Sequence, residues 1–151
     1  SKRIPESNKS VDLIYACHLV EHLDQKETNK FLCECNRVLK PGGIVRVVVP
    51  DFDKLVDSYN QNHDVDRFIH DSCLVGKKPK TIIKKLQYLL QGHGWHHQMF
   101  TKDSLVNKIK SHGFSEIRCF EAGKSAIPYE NGINYFDFSP HSIYCEFTKE
   151  Q

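Results

Sequence analysis

Two kinds of apolar spacing alternate along this chain. Val11-Asp12-Leu13-Ile14-Tyr15-Ala16 is a short β-rich run, too brief for a helix. The period then changes. Thr28, Phe31, Leu32, Cys35, Val38 and Leu39 recur at helical spacing. Asp24 stands at the N-cap position with Glu27 three residues on, a capping-box pattern. Lys40-Pro41-Gly42-Gly43 is expected to stop this helix, because proline cannot continue it and glycine accepts a left-handed turn. Ile44-Val45-Arg46-Val47-Val48-Val49 follows as an almost unbroken β-branched run. A run with no polar face should be covered on both sides, as in a parallel sheet. Strand, helix and strand together predict a right-handed βαβ unit. Asp12 and Arg46 are charges inside these strands and each needs a partner. They can pair with each other across the strands, or Asp12 can pair with backbone or a basic neighbour.

Beyond Pro50-Asp51 the pattern is helical. Phe52, Leu55, Val56 and Tyr59 recur at i, i+3, i+4 and i+7. Asp64 can cap a second helix with Val65, Phe68, Ile69 and Cys73 on one face. Pro79 fits the first turn of a third, with Ile82, Ile83, Leu86, Leu89 and Leu90 inward. Thr101 can cap a helix carrying Leu105, Val106 and Ile109, which Gly113 ends. Ile117-Arg118-Cys119-Phe120 and Ile143-Tyr144-Cys145-Glu146-Phe147 read as two further strands. About twenty residues separate them, with a tight turn at Asn131-Gly132. Tyr129, Tyr135, Phe136 and Phe138 in that stretch are candidates to cover a pocket or the sheet's open end. Ser1 to Ser10 is polar and turn-rich and reads as an irregular lead-in.

Composition narrows the class more than the activity. The 151 residues make one domain's worth of chain, 39% hydrophobic and 26% charged, with a net charge of +2 that selects no particular partner. No apolar run approaches the ~20 residues of a membrane span, and no signal-like segment opens the chain. Lys77, Lys78, Lys80, Lys84 and Lys85 concentrate positive charge without interleaved aromatics, so a solvated helix face is expected rather than a nucleic-acid surface. The six cysteines include no C-x-x-C pair, and Cys33 and Cys35 point in different directions on a helix. Free thiols in a reducing, cytoplasmic setting are expected.

Candidate chemistry gathers in two stretches. Cys17-His18-Leu19-Val20-Glu21-His22 follows the first strand's C-terminal end, where ligands collect in open α/β sheets. Gly92-His93-Gly94-Trp95-His96-His97 is a glycine-flanked loop with three histidines. No third ligand is evident beside the adjacent His96 and His97, so no metal site is expected. Either stretch can also be read as packing and capping alone, with Glu21 and His22 capping the next helix.

The run DLIYACHLVEHL, then the helix, RVLKPGG and IVRVVVPD, resembles the second half of class I S-adenosylmethionine-dependent methyltransferases of the small-molecule type. The likeness continues at GWHHQMFTKDSLVNKIKSHGF. It implies an α/β, partial Rossmann-like sheet of three parallel strands plus a final antiparallel strand, in one domain spanning 1–151. It also implies a helical insertion over 52–91 that roofs the substrate site. Cys17, His18 and Glu21 would lie beside the cofactor S-adenosylmethionine; His22, His96 and His97 are candidate bases or substrate contacts, with Glu21 holding one of them. The family's D-x-G-x-G-x-G loop is absent from the chain. The resemblance therefore implies the C-terminal half of a methyltransferase fold, with weak cofactor binding by this chain alone. The expected partners are a small-molecule substrate and either an N-terminal half or a second copy meeting the 11–16 strand edge. The rival is a non-catalytic, truncated or degenerate interaction module.

Overall fold

In the computed structural model, residues 3–73, 96–127 and 139–150 are described. The alternation of apolar periods becomes β1 (Val11–Cys17), a 3-10 turn (Val20–His22), α1 (Gln25–Val38), β2 (Leu39–Pro50), α2 (Phe52–Asn62) and α3 (Val65–Asp71). These are followed by α4 (Lys102–Lys110), β3 (Phe114–Phe120) and β4 (Ser142–Lys149). The third insertion helix, the lysines near residue 80, His93, Trp95, the turn at Asn131-Gly132 and the four aromatics from Tyr129 to Phe138 lie outside the described residues.

The four strands form one sheet in the order β1-β2-β4-β3. β1 and β2 are parallel, while β4 is antiparallel to both β2 and β3. Three strands thus share a direction and the last opposes them, as the sequence pattern and the resemblance imply. β4 lies between β2 and β3, and its residues from Ser142 to Phe147 are buried.

Local signals set the helix ends. The Asp24 side chain accepts from the Glu27 N–H at 2.8 Å, and the Glu27 carboxylate accepts from the Asp24 N–H at 3.1 Å. That closes the capping box and satisfies two orphan donors. Thr101 and Ser104 do the same for α4. α1 ends at Val38, earlier than Lys40-Pro41-Gly42-Gly43 suggests. Residues 40–43 instead loop out of β2, since Val11 pairs with Leu39 but Leu13 with Ile44. Gly42 takes a φ of 75°, and a Cβ on Gly43 would meet the Lys40 and Asp12 carbonyl oxygens at 3.0 and 3.2 Å. Both glycines are therefore required by the backbone.

One face of the sheet presents Val45, Val47, Val49, Ile143, Cys145 and Phe147 to Phe31, Leu32 and Cys35 of α1 and Leu105 and Ile109 of α4. Each such side chain contributes about 1.5–3 kcal/mol on burial. Phe114 and Phe147 meet edge to face at 4.8 Å. The insertion packs differently from its periodicity. In α2 only Leu55 is buried, and α3 has no buried residue, with Val65 53% and Ile69 36% exposed. Tyr59 instead meets Phe68 edge-on at 5.5 Å, joining the two helices to each other.

The first residues are fastened to α1. Arg37 donates to the carbonyls of Ile4 and Glu6 and to Asn8 Oδ1, while Glu34 accepts from the Ile4 N–H.

Candidate functional site

Four segments converge at the C-terminal end of β1 and β2. The 3-10 turn follows β1, and α2 begins directly after β2. Residues 96–101 lead into α4. Residues 139–141 lead into β4, whose reversed direction brings its start to the same end of the sheet. Backbone hydrogen bonds tie them together. His18 N–H donates to Val48 O at 2.9 Å, Asp51 N–H to His141 O at 2.8 Å and Phe52 N–H to Phe100 O at 2.9 Å. They surround a cleft of about 520 Å³ lined by His18, Asp51, His70, His96 and His141 among others.

Glu21 organises this end. It is 1% exposed, although it lies in a short 3-10 turn. Its carbonyl accepts from the N–H groups of both His97 and Gln98, at 2.8 and 3.1 Å. Gln98 then donates through its side-chain amide to Leu23 O and Thr28 Oγ1, each at 2.6 Å. The loop carrying the later histidines is thereby stitched onto the loop after β1. Glu21 Oε1 meets His18 Nδ1 at 3.0 Å, while Oε2 is buried with no hydrogen-bond partner among the described residues. A buried polar atom left in this state costs about 1–3 kcal/mol.

The predicted residues fall as follows. His22 and His96 pack edge-on with ring centroids 5.1 Å apart, beside Glu21. His96 Nδ1 is buried and has no hydrogen-bond partner among the described residues. Burial pushes the His96 imidazole below its ordinary value, opposed by the Glu21 charge. His97 is exposed and contributes its backbone N–H. His18 is 42% exposed at its side chain and sits at φ 48°, in the left-handed region. A non-glycine residue there stores strain, and such strain gathers at functional sites. Cys17 is half-buried at the end of β1. Glu21 and His22 do not cap α1, since Asp24 does. The Glu21 carboxylate meets the His18 imidazole.

Sequence reasoning passed over Asp51, Arg67, His70, Asp71 and His141, which also line the cleft. Asp51 was findable from its place at the end of β2, and His141 from the antiparallel direction of β4. On α3, Asp71 binds His70 at 3.0 Å and Arg67 at 3.4 Å. His70 is the larger cause of the Asp71 carboxyl's lowered value.

A family described as a methyltransferase domain matches residues 1–47. No curated protein sequence matches the chain. Solved structures do. An S-adenosylmethionine-dependent methyltransferase of Thermotoga maritima, described as a possible histamine N-methyltransferase, aligns at 18% identity and TM-score 0.53. The alignment covers 98% of this chain and 60% of that one. A Methanosarcina mazei S-adenosylmethionine-dependent methyltransferase aligns at 17% and 0.56, covering 97% and 63%. Human N-acetylserotonin methyltransferase, solved with S-adenosylmethionine, aligns at 14% and 0.53, covering 100% and 32%.

The fold is that of the class I methyltransferases. A possible exported protein of Bordetella parapertussis is similar in the same way, at 15% identity, with 97% of this chain and 41% of that one covered. The chain thus spans about two fifths to three fifths of the Bordetella, Thermotoga and Methanosarcina structures.

Proposed function

We propose that this chain is the substrate-facing, C-terminal part of a methyltransferase domain that transfers a methyl group from S-adenosylmethionine to a small molecule. The observation that carries the reading is the meeting of His18 and His96 in one cleft at the carboxyl ends of the parallel strands, with Glu21 and His22 grouped beside His96. Domain extent, substrate class and the reducing, cytoplasmic setting are parts of the same proposal. The six free cysteines support the last of these. Among the described residues no helix is long and apolar enough to cross a membrane.

The residues present suit one side of the cofactor. Cys17, His18 and Glu21 would hold its methionine end, on the loop after β1 in which His18 takes a left-handed conformation. A D-x-G-x-G-x-G loop for its other side is not among these 151 residues. When bound, S-adenosylmethionine supplies an electrophilic methyl on a sulfonium sulfur. The chain's own task is to hold the substrate in line and take its proton. His96 suits the second task. Burial favours its neutral form, and its Nδ1 has no hydrogen-bond partner among the described residues.

Two measurements test this. Calorimetric titration of this chain with S-adenosylmethionine should give a Kd no tighter than about 1 mM, worth roughly 4 kcal/mol; micromolar binding would overturn the division of labour. The complete gene product, assayed with methyl-labelled cofactor against small hydroxyl and amine acceptors, should lose about 10²–10⁴-fold in kcat on His96→Gln. Cofactor turnover with none of these acceptors would favour the rival, a non-catalytic interaction module, for which the missing glycine motif already speaks.

A further inference from the structure

We infer that Glu21, His22 and His96 form a site for one divalent first-row transition-metal ion of the zinc type. Their donor atoms lie within 4.8 Å of one another. Bonds of about 2.1 Å in a tetrahedral shell place two donors about 3.4 Å apart, so the widest pair must close by about 1.4 Å. Two of the three residues also carry buried polar atoms with no hydrogen-bond partner among the described residues, Glu21 Oε2 and His96 Nδ1. A bound cation would satisfy both at once. The donor set of two imidazoles and one carboxylate suits zinc and its neighbours better than calcium or magnesium, which prefer all-oxygen shells.

The surroundings are those of a built site. His18 Nδ1 meets Glu21 Oε1 at 3.0 Å, which fixes the carboxylate and leaves Oε2 available to an ion. The paired bonds from the His97 and Gln98 N–H groups to Glu21 O clamp the two histidine-bearing loops at fixed separation. Such outer-shell contacts orient ligands before an ion arrives. Three protein ligands leave a coordination position open, and His96 also lines the cleft. A substrate oxygen entering that position would have its pKa lowered by the ion, and His96 would then hold the metal rather than the proton. Metal binding itself does not rest on the methyl-transfer reading and can be measured without turnover.

The test uses the full chain, stripped with chelator and titrated with zinc sulfate by calorimetry and with cobalt(II) by visible absorption. One ion per chain at micromolar Kd is expected, with a rise in Tm on adding zinc. Glu21→Gln and His96→Ala should each weaken binding by about tenfold or more, whereas His63→Asn, at the left-handed end of α2, should not change it. Saturable binding that survives both site substitutions would assign the ion to other histidines and overturn the inference, as would no stoichiometric binding at all. In the unmutated chain, cobalt(II) should shift the ring resonances of His22 and His96 before those of other histidines. The opposite order overturns the inference even where a variant fails to fold.

Discussion

Arg46 of β2 and Glu146 of β4 face each other across the sheet as register partners and form an ion pair in the buried core, at 1% and 6% side-chain exposure. Glu146 also accepts from Ser125 Oγ at 2.5 Å and from the Ala126 N–H at 3.0 Å. Arg46 lies over the Tyr144 ring at 5.4 Å. The pair therefore fixes the segment after β3 onto the face of the sheet opposite α1.

Removing one partner strands a charge. Arg46→Met alone should cost about 3–5 kcal/mol of unfolding free energy. Arg46→Met with Glu146→Leu should recover most of it, less the two bonds from residues 125 and 126. Urea unfolding of the two variants decides this. Equal stabilities would mean that the pair is not what the single substitution breaks.

The same pair shows where the sequence stops being legible. Arg46 was visibly a charge needing a partner, but that partner lies 100 residues away, and Asp12 instead bonds Lys40 at the surface. Local devices were legible because cause and effect lie within one turn, as at Asp24 with Glu27 and at Thr101. Lys40-Pro41-Gly42-Gly43 announced a turn without saying that it would loop out of a strand. α3 announced an apolar face that the described residues leave exposed. At the site, the loops carrying Glu21 and His96 were both suspected from their composition. Their joining through the Glu21 carbonyl depends on how the chain returns after α3, which no local pattern encodes.

Acid should release the first residues before the rest. Hydrogen bonds from Arg37 hold the Glu34 carboxyl down at about 2, from an ordinary 4.5. A depressed folded value stabilises fully above the unfolded one and is lost as pH falls through the folded one. Exchange protection of the Lys9 and Ser10 amides, which bond the Arg37 and Val38 carbonyls, should hold above pH 4.5 and decay toward pH 2. Arg37→Leu should remove that pH dependence. Protection flat across this range in the unmodified chain would refute the coupling.

Cys119 and Cys145 sit opposite each other on β3 and β4 with sulfurs 2.7 Å apart. The hydrogen bond between the two thiols draws Cys119 down to about 7, while the same contact and burial push Cys145 up. Cys35 is pushed up to about 12 by burial. Alkylation of Cys119 should therefore follow a curve centred near pH 7, and Cys145→Ala should move it upward toward 9. Mass mapping after timed iodoacetamide pulses reads both. A Cys119 profile unmoved by that substitution would show the contact to be inert.

β1 pairs on one side only among the described residues, at the end of the order β1-β2-β4-β3. An edge strand offers a row of backbone donors and acceptors to any further strand. Proteins usually blunt such an edge with lysine, proline or a short length. β1 is seven residues long, holds neither residue, and has one charge, Asp12, already bonded to Lys40. Leu13 and Ile14 are half-buried and Tyr15 is 36% exposed, so apolar area is available beside the edge. Residues 4–10, which could have crossed it, are instead drawn to α1 by Glu34 and Arg37. We therefore expect this 17.5 kDa chain to self-associate at micromolar concentration. A two-fold dimer through β1 is the simplest closed form. Sedimentation velocity should show a concentration-dependent dimer, and Leu13→Pro should return it to monomer by removing an N–H from the edge. A clean monomer of the unmodified chain at every concentration would mean that the edge is covered from within, and the dimer would have to be abandoned.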